Sequence, residues 1–380
     1  MTTQFKRGLA QATDLTRSGK LQEATALIKS LLQPANTGPI PAPAKDSEDQ
    51  VIEGEFTRLD PSPSGMPDPR RTPLAETLRK IAAGGMPGHS ARAGGADVLP
   101  QGAQFLALTH KGFQGSRSYR LYIPAQRPDG PMPLIIMLHG CTQSPEDFAV
   151  GTGMNAVAEE FGCLVAYPAQ PSGANAQKCW NWYRPADQGR DRGEPALFAG
   201  LVHDILRDHT ADPTRVYVAG LSAGGAAAVV AAAAYPEIFS AVGVHSGLPA
   251  GGAHDIPSAF AAMRSGSRAR PHQTVVPTIV FHGLADTTVH PQNGVAVLEQ
   301  ALQAMSGLQE TTQSGTAAGG RRFRAAVHGL ADGRSLAEHW QIEGAGHAWA
   351  GGRPSGSYTD PAGPNASRQM MRFFLQHKKV

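Results

Sequence analysis

Between positions 104 and 375, short apolar runs alternate with stretches whose apolar residues recur three and four positions apart. Short apolar runs bounded by polar or glycine positions have the length of buried strands, and spacing of three and four marks a helix stripe. The pattern predicts strands over 134–139, 164–167, 216–219, 241–245, 278–281 and 339–342, and helices over 153–161, 197–209, 224–235 and 294–304. Runs over 105–109 and 117–124 predict an antiparallel entry pair ahead of them. A last helix ends near Phe373-Phe374-Leu375. Alternation of this kind gives an α/β fold: a mostly parallel sheet flanked by helices on both faces. Chemistry in such a sheet belongs at the carboxyl ends of the strands.

The N-terminal third is patterned differently. Phe5, Leu9, Ala12 and Leu15, then Leu21, Ala24, Leu27, Ile28, Leu31 and Leu32, keep helical spacing on either side of Ser18-Gly19-Lys20. This predicts an N-terminal helical hairpin over 1–33. A single pair of helices cannot bury its own apolar face, so the hairpin is expected to dock, to self-associate or to lie on an apolar surface such as a polymer granule or membrane. Over 34–100, prolines from Pro34 to Pro87 are mixed with glycine, serine and charge. Such a segment buries too little apolar surface to offset its ordering entropy and reads as a largely disordered linker. The α/β domain is assigned to 101–380.

Composition narrows the class. With 41% hydrophobic and 17% charged residues, the 380-residue chain reads as a soluble globular protein. A net charge of +3 with scattered basic residues gives no nucleic-acid groove. No run nears the ~18 apolar residues of a membrane-spanning helix. Met1-Thr2-Thr3-Gln4-Phe5-Lys6-Arg7 leads into no apolar leader segment, and three cysteines are too few for a disulfide scaffold. Both features set a cytoplasmic expectation.

The strongest chemical signal is Gly220-Leu221-Ser222-Ala223-Gly224, which follows the apolar run 215–219 and opens a small-residue helix. In that strand–turn–helix context G-x-S-x-G is a nucleophile elbow, with Ser222 exposed on a strained turn. A serine hydroxyl then needs a base, an orienter for the base and donors for an oxyanion. Among 14 histidines, His347 in Gly344-Ala345-Gly346-His347-Ala348-Trp349 lies in a glycine-flanked loop after the last strand, which suits the order Ser…Asp…His. His139, His245 and His282 lie in or at the ends of strands, where packing and supporting hydrogen bonds are expected, and His290 is a weaker rival. Asp286, on the loop after 278–281, is the expected acid; Asp255 and Asp332 are substitutes with no comparable strand before them. The loop Leu138-His139-Gly140-Cys141-Thr142-Gln143 is expected to supply one oxyanion amide, from Cys141, and the residue after the nucleophile, Ala223, the other. Cys179-Trp180-Asn181-Trp182 places Trp180 and Trp182 on a loop beyond 164–167, where exposed rings could hold an acyl chain or a sugar, with core packing the competing reading for Trp182. Trp349, two residues past His347, joins them as a candidate substrate contact. Cys141 and Cys179 sit on loops at the same end of the sheet, so a disulfide between them is open, although it conflicts with the cytoplasmic expectation. Cys163 is expected to be an inert buried thiol. No metal-ligand spacing occurs, and the chemistry calls for no cofactor.

The motifs His139-Gly140-Cys141-Thr142-Gln143, Cys179-Trp180-Asn181-Trp182, Gly220-Leu221-Ser222-Ala223-Gly224-Gly225 and Gly344-Ala345-Gly346-His347-Ala348-Trp349 together resemble the polyhydroxybutyrate (PHB) depolymerase family of esterases. The resemblance covers roughly 104–380. It implies an α/β-hydrolase fold, a Ser222–His347–Asp286 triad, and hydrolysis of poly(3-hydroxybutyrate) or short 3-hydroxyacyl oligomers. It also brings an extracellular alternative for localisation, since much of the family is secreted. Secreted relatives carry a leader and a C-terminal substrate-binding domain, so attack on amorphous polymer, oligomers or soluble esters is expected here rather than on crystalline polymer. Two rivals stand beside this reading: an acetyl- or feruloyl-type carboxylesterase, and a non-catalytic binding protein on a hydrolase fold.

Overall fold

A computed structural model of the chain describes residues 99–268 and 276–379. The hairpin expected over 1–33 lies outside the described residues, as does the linker over 34–100 except for its last two positions.

Strands β1 (Gln104–Gly112) and β2 (Gly115–Ile123) form the antiparallel entry hairpin. They lead into β3 (Met132–Leu138), β4 (Leu164–Pro168), β5 (Ala211–Leu221), β6 (Ala241–His245), β7 (Thr278–Gly283), β8 (Gln309–Thr316), β9 (Arg322–Gly329) and β10 (Ser335–Ile342). Among the described residues these make a ten-stranded sheet of order β1-β2-β4-β3-β5-β6-β7-β10-β9-β8. The central strands β4, β3, β5, β6, β7 and β10 pair in parallel. Their carboxyl ends therefore lie on one edge, and the loops after β3, β5, β7 and β10 meet there. Cys141, Ser222, Asp286 and His347 are on these loops, and Cys179, Trp180 and Trp182 on the 169–193 segment after β4.

The strands read as apolar runs because both faces are covered. Leu134, Ile136 and Leu138 of β3 face a cluster with Phe198, Leu201 and Val202 of α3 (Gly193–Asp208) and the alanines of α4 (Ala223–Ala234). Ile135 and Met137 face the opposite cluster, with α1 (Pro145–Thr152), α2 (Met154–Phe161) and α7 (Ala366–Phe374). Helices α5 (Ile256–Ser265) and α6 (Gln292–Leu302) follow β6 and β7. A two-stranded parallel pair, β11 (Trp349–Ala350) and β12 (Thr359–Asp360), ties down the chain after His347. Among the described residues no helix is long and apolar enough to cross a membrane.

The β8–β9 hairpin and helices α1 and α5 are among the elements absent from the sequence reading. The β8–β9 hairpin extends the sheet at its far edge, and β8 reads Gln-Glu-Thr-Thr-Gln-Ser-Gly-Thr, exposed almost throughout. An outer strand made of polar residues discourages further pairing, which removes the apolar alternation that would announce it. Helices α1 and α5 are short and carry their signals at their starts: Ser144 and Asp255 cap them, each followed by a proline in the first turn.

Candidate active site

The elbow is built by close packing. Ser222 leaves β5 with φ 59° and ψ −120°, and α4 begins at the next residue. A non-glycine residue so placed stores about 1–3 kcal/mol of backbone strain, which its surroundings must hold. Gly220 and Gly224 make those surroundings possible. A Cβ on Gly224 would lie 2.0 Å from the Leu138 carbonyl oxygen, and one on Gly220 2.3 Å from the Gly224 carbonyl carbon. The Ser222 amide donates to the His245 carbonyl on β6 at 2.9 Å. Helix α4 is thus pressed against the end of β3, and the loop after β3 lies beside the serine.

That loop sorts its amides. Gly140 N donates to Gln143 Oε1 at 2.9 Å. Thr142 N donates to the Gln177 carbonyl at 2.7 Å and Gln143 N to the Gly140 carbonyl at 3.4 Å. Among the described residues the Cys141 amide has no acceptor. Ala223, as the first residue of α4, has an N–H with no intrahelical partner. The two amides left free are those expected from the sequence, and the positive end of α4 adds to them. Gln143 locks the loop from below: its Nε2 donates to Asp147 Oδ2 at 3.0 Å and to the Ser357 carbonyl at 3.2 Å. Cys141 and Cys179 are joined by a disulfide, the arrangement the sequence had left open. Cys163 is a buried free thiol, and burial pushes it up to about 12.

On the other side, Asp286 Oδ2 accepts from His347 Nδ1 at 2.7 Å. This fixes the imidazole with its proton on Nδ1 and leaves Nε2 as the basic nitrogen. The Asp286 side chain is fully buried, with Oδ1 accepting from the amides of Thr288 and Val289 at 2.9 Å each. His282 Nε2 donates to the Val289 carbonyl at 2.9 Å and lies 3.5 Å from Asp286 Oδ2. Burial raises the Asp286 pKa, but donors from His282, His347 and the Val289 amide outweigh it and hold the carboxylate well below the usual range. His282, for which packing and supporting hydrogen bonds were expected, thus lies against the acid. Its signal is its position at the end of β7, four residues before Asp286. Ser222 Oγ and His347 Nε2 have no hydrogen bond to one another or to any other described group. Ser222 is 8% exposed and the His347 side chain 10%, and such bonds often close only once substrate is seated.

The other candidates are placed elsewhere. Asp255 caps α5, Asp332 pairs with Arg334 on the surface at 2.8 Å, and His290 accepts from the Gln292 amide at 3.2 Å on an exposed loop. His245 is fully buried between the Phe281 and Trp349 rings, with Nε2 accepting from Ala350 N at 3.0 Å; burial lowers it to about 3, so it stays neutral.

The expected aromatic platform needs correction. Trp180 is 0% exposed, packed edge-on against Phe198, with its Nε1 donating to the His139 carbonyl at 3.0 Å. Trp349 is 1% exposed and donates to Ser367 Oγ. Neither offers a face to a ligand; a large ring with one polar handle is well placed in a core where that handle finds an acceptor. Trp182 is also buried, as its competing reading had it, in a small cluster with Ala223, Leu248 and Val289 against which Cys141 and Cys179 pack. It is wall rather than platform.

The family model described as Esterase PHB depolymerase matches residues 117–324, a span that includes Ser222 and Asp286 and stops short of His347. Poly(3-hydroxyalkanoate) depolymerase C of Paucimonas lemoignei is 34% identical over 240 residues, covering 60% of this chain and 57% of that protein. Feruloyl esterase B of Neurospora crassa is 29% identical over 206 residues, covering 47% of this chain and 67% of that one. Among solved structures, an acetyl xylan esterase from Aspergillus awamori superposes with a TM-score of 0.57 at 21% identity, covering 72% of this chain and 99% of that one, a likeness of fold.

Proposed function

The chain belongs to the PHB depolymerase family of esterases, and from that premise we propose that it is a serine esterase acting on poly(3-hydroxybutyrate) or short 3-hydroxyacyl oligomers. The observation that carries the reading is the division of labour at one sheet edge: a strained Ser222, two unpaired amides beside it, and a histidine whose free nitrogen is set by a buried carboxylate. His347 Nε2 takes the Ser222 proton as Oγ attacks the ester carbonyl. The Cys141 and Ala223 amides hold the tetrahedral oxyanion. Its collapse breaks the C–O bond, the leaving alkoxide takes the proton back from His347, and water then releases the acid from the acyl-enzyme by the same steps in reverse order. Asp286, kept ionised, stabilises the imidazolium that forms in each half-reaction.

The polyester substrate rests on the likeness to the depolymerase, of which the chain spans 57% of the length. An esterase acting on polysaccharide would have drawn support from an exposed Trp180, and burial of that ring withdraws it. The Cys141–Cys179 bridge favours an oxidising compartment. Residues 1–33 are proposed as a granule-binding segment; equal adsorption by protein lacking residues 1–95 would remove that role.

The test is hydrolysis of amorphous poly(3-hydroxybutyrate) beside short-chain p-nitrophenyl esters, with wild type and Ser222→Ala. Release of 3-hydroxybutyrate or its oligomers by wild type, reduced by about 10⁴–10⁶ in the variant, is expected. Turnover of the small esters alone would move the substrate to soluble esters, and turnover surviving Ser222→Ala would remove the nucleophile.

A further inference from the structure

We propose that Glu194 is a positioning residue that aims the Cys141 amide at the oxyanion, through two chains of contacts and without touching substrate; the inference rests on the Ser222 esterase reading above. Glu194 lies in the first turn of α3 and is 4% exposed. The mechanism has no use for a second buried carboxylate, yet this one is fully engaged. Its Oε1 accepts from Gln170 Nε2 at 2.5 Å and Asn181 Nδ2 at 2.9 Å, and its Oε2 from Asn181 N at 2.8 Å.

The first chain runs through Gln170. Its backbone N–H donates to His139 Nε2 at 3.1 Å, which puts the imidazole proton on Nδ1. From there Nδ1 donates to the Gly140 carbonyl at 2.7 Å. Burial lowers His139 to about 4, so the ring remains neutral and this pattern persists at ordinary pH. The Gly140 carbonyl and the Cys141 N–H belong to one planar trans peptide and point in opposite directions. Holding the oxygen therefore fixes where the hydrogen points. The second chain runs through the segment carrying Cys179. Asn181 is two residues beyond it, Gln170 Nε2 also donates to the Cys179 carbonyl at 3.0 Å, and Cys179 is bonded to the Cys141 side chain. Both the peptide before Cys141 and its side chain trace back to the same carboxylate.

The charges facing Glu194 are Arg117 from β2, which lies over the Trp180 ring at 5.9 Å, and Asp187, whose Oδ1 accepts from the Glu194 amide at 2.9 Å. No ion pair joins Arg117 to Glu194 among the described residues, so the carboxylate is committed to Gln170 and Asn181. Those two residues are the ones that carry His139 and Cys179.

Glu194→Gln keeps the volume and turns one acceptor into a donor facing donors. An oxyanion donor acts on the transition state, so kcat on a p-nitrophenyl ester is expected to fall about 10–10²-fold with KM little changed, less than the ~10²–10³ lost with a donor itself. Affinity for butylboronic acid, which forms a tetrahedral anion on a serine, is expected to fall in step with kcat, while affinity for the product acid stays the same. A merely structural defect would lower the amount of active enzyme and leave these ratios alone. Gln170→Met cuts the same links one residue away and is expected to act in the same direction, which keeps the test available if Glu194→Gln fails to fold. Unchanged kcat and boronate affinity in a folded variant overturn the proposal. Wild-type turnover surviving Ser222→Ala overturns the esterase reading instead, so the two failures are distinguishable.

Discussion

Asp286 and Glu194 are both buried carboxylates behind the same serine, and their surroundings push them in opposite directions. Asp286 accepts backbone amides on one oxygen and the His347 imidazole on the other, with His282 Nε2 3.5 Å away, and these outweigh burial and hold it low. Glu194 accepts from neutral amides, and burial together with Asp187 raises it to about 7. The difference follows from what each has to hold. On the proposed mechanism the acid side of the site works by charge, because an imidazolium would form and vanish beside Asp286 on each turnover. The oxyanion side works by geometry, because its donors are backbone amides whose charge never changes. Donors that keep a carboxylate ionised suit the first task, and a network that merely has to stay in place suffices for the second.

The largest expected effect breaks the charged side. Asp286→Asn keeps the shape and removes the charge, and its amide favours the wrong His347 tautomer. A fall of about 10⁴ in kcat is expected with little change in KM, measured on a soluble ester. The geometric side breaks differently. Gly224→Ala drives a methyl into the Leu138 and His139 carbonyls, so about 1–3 kcal/mol of stability and at least ~10² in rate should be lost, read by denaturant unfolding and kcat. Gly346→Ala is the control on the charged side: nothing lies within 4 Å of the added carbon, although His347 is the next residue. It should change stability by no more than about 0.5 kcal/mol. A tolerated Gly224→Ala would mean that close packing does not hold the elbow.

How much of this could be read from the chain depended on how local the signal was. Ser222, Asp286 and His347 announce themselves because each follows an apolar strand in a parallel sheet, so strand order alone brings them to one edge. Cys141 and Ala223 follow from the same logic, since a backbone donor is a matter of position rather than residue type. Glu194 gave no such signal: its partners are Gln170 and Asn181, 24 and 13 residues away, and its own neighbours read as an ordinary helix start. Gln143 was quoted as part of a motif, but its clamp on Ser357 spans 214 residues. The tryptophans were misplaced because a loop address was taken for exposure, whereas each indole of Trp180 and Trp349 has an internal acceptor that lets it sink into the core. β8 was missed because a polar edge strand carries no apolar period.

The two carboxylates also sharpen the comparison through stability, where the expected effects are smaller and of opposite sign. Asp286 titrates lower in the fold than in the unfolded chain, so its contribution is complete above about pH 4 and is lost as pH falls. Glu194 titrates higher in the fold, about 7 against 4.5. Between those values the folded state binds the extra proton, so this contribution is fully present below about pH 4.5 and is lost as pH rises through 7. Its full size is on the order of 3 kcal/mol. Buried His139, His245, His339 and His377, lowered to between about 3 and about 4 by burial, act oppositely: their contribution is present above about pH 6.5 and lost as pH falls. Wild type therefore carries both slopes at once, and only a difference separates them. The unfolding free energy of wild type minus that of Glu194→Gln, measured by denaturant from pH 5 to pH 8, should fall as pH rises, whatever the absolute cost of the lost hydrogen bonds. Parallel curves would mean that Glu194 is ionised throughout that range. The contrast with Asp286 would then lie in their partners alone and not in their charge.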